Sequence, residues 1–158
     1  MGLDMYLRRK KYIGAHWEHR NVKGSIDISI NGHKCNIAFD KISEITEQFG
    51  YWRKANAIHK WFVDNVQDGV DDCKEYYVDE DDLKRLLDTC KKVKENHDLA
   101  SELLPTTRGF FFGSVEYDEY YFMDIDETIE ILEKALKDIE EDENKGLDGY
   151  SYFYSSSW

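Results

Sequence analysis

The sequence predicts an α+β fold: one domain over residues 1–158, an antiparallel sheet with N- and C-terminal strands, and a helical layer on one face. Three observations carry this. Leu3, Met5 and Leu7 alternate with Asp4, Tyr6 and Arg8 at the start of the chain. Aromatic residues and serines alternate at its end, in Tyr150-Ser151-Tyr152 and Tyr154-Ser155. Between them lie stretches whose apolar residues recur at helical spacing. A chain of 158 residues buries roughly two-thirds of its unfolded surface, enough for one core.

The elements follow in order. Period-2 alternation makes Leu3–Arg8 a half-buried strand. Ile26, Ile28 and Ile30 alternate up to Asn31-Gly32, and Cys35, Ile37 and Phe39 alternate away from it, which predicts a β-hairpin with a type I′ turn. Asp40 is expected to cap a short helix carrying Ile42, Ile45 and Phe49 on one face and ending at Gly50. A second helix is expected from about Trp52 to Val66. A third starts near Asp79 and carries Leu83, Leu86, Leu87, Cys90 and Val93. A short helical stretch with Leu99, Leu103 and Leu104 stops at Pro105, the single proline of the chain. Phe110–Phe112, between Gly109 and Gly113, reads as a buried strand or its approach. Ile125, Ile129, Leu132, Leu136 and Ile139 give the longest amphipathic helix, capped by Asp124 or Asp126. Tyr150–Trp158 closes the fold as a strand.

Composition bounds the function. The chain holds 8 Phe, 4 Trp and 11 Tyr, yet acids outnumber bases 33 to 21 for a formal charge of −12. Disordered acidic tails lack such aromatic content. The acidic balance argues against backbone-driven binding to long nucleic acids, whose affinity comes from cations displacing counterions. Charge is also segregated: residues 1–24 carry a surplus of four positives, whereas 64–82 and 116–143 are strongly acidic, so a basic region set against an acidic surface is expected. Cys35, Cys73 and Cys90 are odd in number and lack C-x-x-C spacing, so reduced, cytoplasmic thiols are expected, with no disulfide framework, metal site or cofactor. No apolar run reaches the length of a membrane span, no secretory leader is seen, and Tyr6 stands where a myristoylation motif needs Ser or Thr.

The densest chemistry lies in Gly50-Tyr51-Trp52-Arg53-Lys54-Ala55-Asn56-Ala57-Ile58-His59-Lys60-Trp61-Phe62. On a helix, Ala55, Ile58, Phe62 and Val66 form the core face, and Trp52, Asn56, His59 and Val63 an adjacent arc. Asn56 and His59 need polar partners there. Either they fix packing against a neighbouring element, or they line a pocket walled by Trp52. Arg53 and Lys54 in the first turn conflict with the helix dipole and would suit an anion. Thr106, Thr107 and Arg108 offer donors to a phosphate. Phe110–Phe112 cannot all face one side of a strand, so one ring is expected to reach a second layer, a partner subunit or a ligand. Tyr117 and the tail aromatics either build a homo-oligomer interface or stack on a base.

The opening Met1-Gly2-Leu3-Asp4-Met5-Tyr6-Leu7, the segment Gly50–Val66, Leu104-Pro105-Thr106 with Gly109–Ser114, and Tyr117-Asp118 resemble a family of small acidic proteins encoded by tailed phages and prophages. The resemblance extends over most of the chain and implies a setting, the cytoplasm of an infected host cell, rather than a residue-level mechanism. Small acidic phage proteins of this kind are frequently counter-defence factors, and one group binds host immune nucleotides, cyclic dinucleotides or TIR-derived ADP-ribose signals, without cleaving them. The resulting expectation is a sponge for a small nucleotide signal. Trp52 with Phe111 or Tyr117 would sandwich a base, Arg53, Lys54 and Arg108 would hold phosphate, and Asn56 and His59 would read polar edges. The alternatives are an acidic inhibitor that covers a basic site on a host defence protein, and a nucleotide hydrolase using His59 with carboxylates.

Overall fold

The computed structural model describes residues 2–158, so Met1 of the Met1–Leu7 opening lies outside it. The N-terminal alternation forms β1 (Asp4–Tyr12), and the serine-aromatic tail forms β6 (Ser151–Ser157). β4 (Glu44–Arg53) and β5 (Tyr76–Val78) complete a four-stranded antiparallel sheet in the order β4-β1-β6-β5. Both predicted terminal strands are therefore central. Leu3, Met5 and Leu7 point inward with Trp52, Tyr152 and Tyr154, whereas Tyr6, Arg8 and Lys10 point to the other face. The helices α1 (Asn56–Asn65), α2 (Glu80–Glu95), α3 (Ala100–Leu103) and α4 (Glu119–Asn144) supply most of the remaining core, with Val78 of β5 and Ala55, Leu104 and Phe112 from the connections. Phe62 of α1 stacks on Tyr154 at 3.9 Å between ring centres.

α2 begins as its sequence dictates. The Asp79 carboxylate accepts from the Asp82 N–H at 2.7 Å, acids fill the first turn, and Lys92 and Lys94 complement the dipole in the last. Leu83, Leu86, Cys90 and Val93 are buried along one stripe that joins the core with Ile125, Ile129 and Leu132 of α4. Burial pushes the Cys90 thiol up to about 12, so it behaves as a small apolar side chain. All three cysteines are free.

Four expectations are corrected. The segment Ile42–Gly50 is not a helix: only Phe39–Lys41 makes a helical turn, and β4 follows. A bulge interrupts β4, where Leu7 and Arg8 of β1 face Gly50 and Gln48 and leave Phe49 as the extra residue. Phe49 thereby turns inward onto the edge of Tyr152. The second helix starts at Asn56 rather than Trp52, because Trp52 and Arg53 belong to β4 and Lys54 adopts a left-handed φ of 61°. Phe110–Phe112 forms a turn rather than a strand, with Phe111 at φ 70° and Gly113 at φ 90°. Finally, α4 starts at Glu119, capped by Asp118, whose carboxylate accepts from the Tyr120 and Tyr121 N–H groups, rather than by Asp124 or Asp126.

The hairpin is present but short. Ser29–Ile30 (β2) pairs with His33–Lys34 (β3), and positive φ at Asn31 and Gly32 fits the type I′ turn. Pairing stops there because the hairpin lies away from the core, with Ile28, Ile30 and Ile37 exposed. The expected basic region is dispersed. Arg9 turns inward and is held by Glu47 and Asp138, Lys11 reaches Asp142, and Arg20 reaches Asp148. Among the described residues, no helix is long and apolar enough to cross a membrane.

Candidate functional site

The site is built on α1. Lys54 turns the chain out of β4, its N–H bonding to the Leu3 carbonyl at 2.8 Å, and this sets the start of the helix. At its first residue, the buried Asn56 amide uses three of its four hydrogen-bonding positions on a single loop. Nδ2 donates to the Phe112 carbonyl at 3.1 Å and the Ser114 carbonyl at 2.7 Å, and Oδ1 accepts from the Thr107 N–H at 3.0 Å. Asn56 is therefore the clamp that shapes residues 106–115.

His59, 1 % exposed, lies one turn further on. Its Nδ1 is 2.8 Å from the Tyr154 hydroxyl and its Nε2 2.9 Å from Asp71 Oδ2. Burial, with Asp71 and Cys73 nearby, holds the Tyr154 hydroxyl well above its ordinary pKa, so it stays protonated and donates to Nδ1. In the neutral ring Nε2–H then donates to Asp71. The other Asp71 oxygen accepts from the Trp158 indole N–H at 3.1 Å, which ties the end of the chain to α1. Asp71 sits in a loop with three left-handed residues, Asp68, Gly69 and Cys73. Two of these are non-glycine, so backbone strain is concentrated beside the His59 partner.

Above this network lies an open cleft of about 320 Å³, between α1, the clamped loop and Trp158. His59 and Asp71 form its floor with Phe112, whose ring meets His59 edge-on at 5.2 Å and lies 6.0 Å from Trp158. Phe110, 79 % exposed, Trp158, 50 % exposed, and Arg108 form its rim. Gly109 is required by packing, because a Cβ there would collide with the Phe112 ring. Lys60 is paired with Asp64 at 2.6 Å, whereas Arg108 makes no ion pair with any described residue. The cleft thus offers flat apolar walls and one free guanidinium.

The eight residues singled out in the sequence divide between several places. Trp52 is 1 % exposed, donates from Nε1 to Thr128 Oγ1 at 2.9 Å and packs on Phe62, so it presents no ring face to a ligand. Asn56 is spent on the loop, and both His59 nitrogens are occupied. His59 and Arg108 share the cleft just described. Arg53 and Lys54 line a different one, of about 710 Å³, on the far side of Gly113 and Ser114. There Asp124, Asp126, Glu127 and Glu130 outnumber them, which disfavours an anion. Burial, with Glu127 and Asp118 adding, raises the Asp124 carboxyl to about 7. Phe111 packs against Phe110, and Tyr117 against Tyr121 near the Thr106 N–H.

Two features are not visible in the sequence: the pairing of Asp71 with His59, and the return of Trp158, one of the tail aromatics expected to stack on a base or build an interface, to the rim of this cleft. Neither has a local signature, since one depends on a strained loop and the other on the far end of the chain. Among the described residues, no group of three His, Cys, Asp or Glu side chains is placed to hold a metal ion. The fold and cleft define a one-domain α+β protein whose open pocket is walled by aromatics. No family model matches this sequence, and comparison with the curated proteins and the solved structures gives no match either.

Proposed function

We propose that this protein binds a small nucleotide in the cleft above His59 and holds it without chemistry. The observation that carries the reading is the pairing of an unpartnered Arg108 with exposed Phe110 and Trp158 around one cleft. Arg108 takes a phosphate through charge-assisted, bidentate bonds. Phe110 and Trp158 flank a base, and a volume of about 320 Å³ suits one nucleotide unit of a larger signal. Binding rather than turnover is supported by His59, whose two ring nitrogens already have partners, so its imidazole is not free to take a proton from a ligand. In the phage setting that the resemblance implies, the protein acts in the cytoplasm of an infected cell by sequestering an immune nucleotide, and self-association through its exposed aromatics belongs to the same reading.

Isothermal titration against cyclic dinucleotides, ADP-ribose derivatives and mononucleotides tests it. A saturable heat for at least one of these, lost in Arg108→Ala, with ligand recovered unaltered by chromatography, is the expected result. No heat across the panel, or a cleaved product, contradicts it.

A further inference from the structure

The helices account for only one face of the sheet. The other is set by the strand register, which places Tyr51, Tyr6 and Ser155 in one row, and Gln48, Arg8, Phe153 and Tyr77 in the next. Tyr6 and Tyr51 rings lie 5.6 Å apart, and Phe153 and Tyr77 rings 5.7 Å apart. Cations are set among them. The Arg8 guanidinium lies 5.0 Å from the centre of Tyr6 and the Lys10 ammonium 4.3 Å from that of Phe153. Arg8 also donates to Ser155 Oγ at 2.9 Å, which fixes its position between the two ring pairs. Tyr77, 60 % exposed, and Tyr51, 40 % exposed, open the platform to solvent at both sides.

We infer that this open sheet face binds a short single-stranded nucleic acid. Charge on the face is balanced, whereas the chain as a whole is acidic, so the aromatic rings carry the recognition. Arg8 and Lys10 share a single carboxylate, Glu75, at 3.7 and 2.6 Å. Arg53 lies 3.9 Å from Asp4, which is already engaged by the Tyr51 hydroxyl. With Glu44, which stands opposite Tyr12 on the same face, three cations meet three carboxylates, so this face is formally neutral within a protein of −12. The four rings stand on adjacent strands, so the two pairs are diagonal neighbours about 7–8 Å apart. That arrangement separates two bases and stacks each on its own platform, with phosphates passing over Arg8 and Lys10. A duplex hides the base faces that these rings would meet. Because only about three cations take part, affinity leans on stacking, and its salt dependence is shallow. A single-strand slope near −0.7 per phosphate gives about −2 in log K against log salt. This site is independent of the cleft, which lies among the helices on the opposite side.

The test is fluorescence anisotropy of labelled eight-residue oligo-dT and oligo-rU with the full chain, from about 20 to 200 mM salt. Saturable binding is expected, with the slope just stated, and with a loss of about five-fold or more in Tyr77→Ser and in Tyr51→Ser. Both residues are exposed, and circular dichroism confirms that each variant is folded. Arg108→Ala leaves this binding unchanged, so failure here and failure of the nucleotide cleft are read separately. No binding at about 20 mM salt overturns the inference. So does equal binding of a duplex of the same length, undiminished binding by both tyrosine variants, or equal competition by inorganic polyphosphate, which has no bases to stack.

Discussion

The floor and the rim of one cleft put the same residue types to different uses. On the floor, His59 has both ring nitrogens partnered by protein, and behind it Asn56 is spent on the clamped loop and Trp52 is sealed in the core. On the rim, Arg108 and Phe110 have almost none, and Trp158 has only the bond to Asp71. The comparison teaches that polar groups dense in sequence are often those the fold consumes, whereas the groups left for a ligand stand apart in sequence and meet only in space. Floor substitutions should therefore cost stability, and rim substitutions should cost binding alone.

The largest stability loss is expected from Trp52→Ala, about 4 kcal/mol by urea denaturation, from a lost indole and the cavity it leaves. Asn56→Ala follows at about 3 kcal/mol, because two carbonyls and one N–H of the clamped loop lose their partner, and cleft binding goes with it. His59→Phe is expected to cost about 2 kcal/mol, since the buried Tyr154 hydroxyl loses its acceptor and Asp71 its donor. An equal loss in Arg108→Ala would break the division between floor and rim.

Asp124 sharpens the comparison with the opposite sign. Its folded carboxyl is raised from 3.8 to about 7, so the folded chain holds this proton more tightly than the unfolded one. That contribution is fully present below about pH 4 and is lost as pH rises to about 7. Asp124→Asn should therefore leave stability nearly unchanged at pH 4 and raise it by about 1–2 kcal/mol at pH 8, after allowing for solvent screening. Thermal melts at the two pH values check this. The smallest stability effect, within about 0.5 kcal/mol, is expected for Arg108→Ala, which nevertheless abolishes the nucleotide heat.

Much of the architecture is legible in the residues. The alternations at Leu3–Arg8 and Tyr150–Trp158 become the two central strands, and Asp79 with its acidic first turn marks the start of α2. What was not legible depends on distant partners. Ile42, Ile45 and Phe49 stand at helical spacing, yet the pairing of β4 with β1 makes the segment a strand in which Ile45 is exposed, and β5 is three residues long with β6 as its partner. At the site, helical spacing correctly placed His59 on the border of the buried stripe. It could not show that Asp71 and Tyr154 take both ring nitrogens, nor that Trp158 returns to the rim.

The most direct test follows the tryptophan indole N–H signals by NMR during titration with the best-binding nucleotide of the panel. The Trp158 signal should shift with saturation, because its ring flanks the ligand and its N–H bonds to Asp71, while the Trp52 signal, sealed against Thr128, stays in place. A shift of Trp52 with Trp158 unmoved, or no shift of either at saturation, would contradict ligand binding at the rim of this cleft.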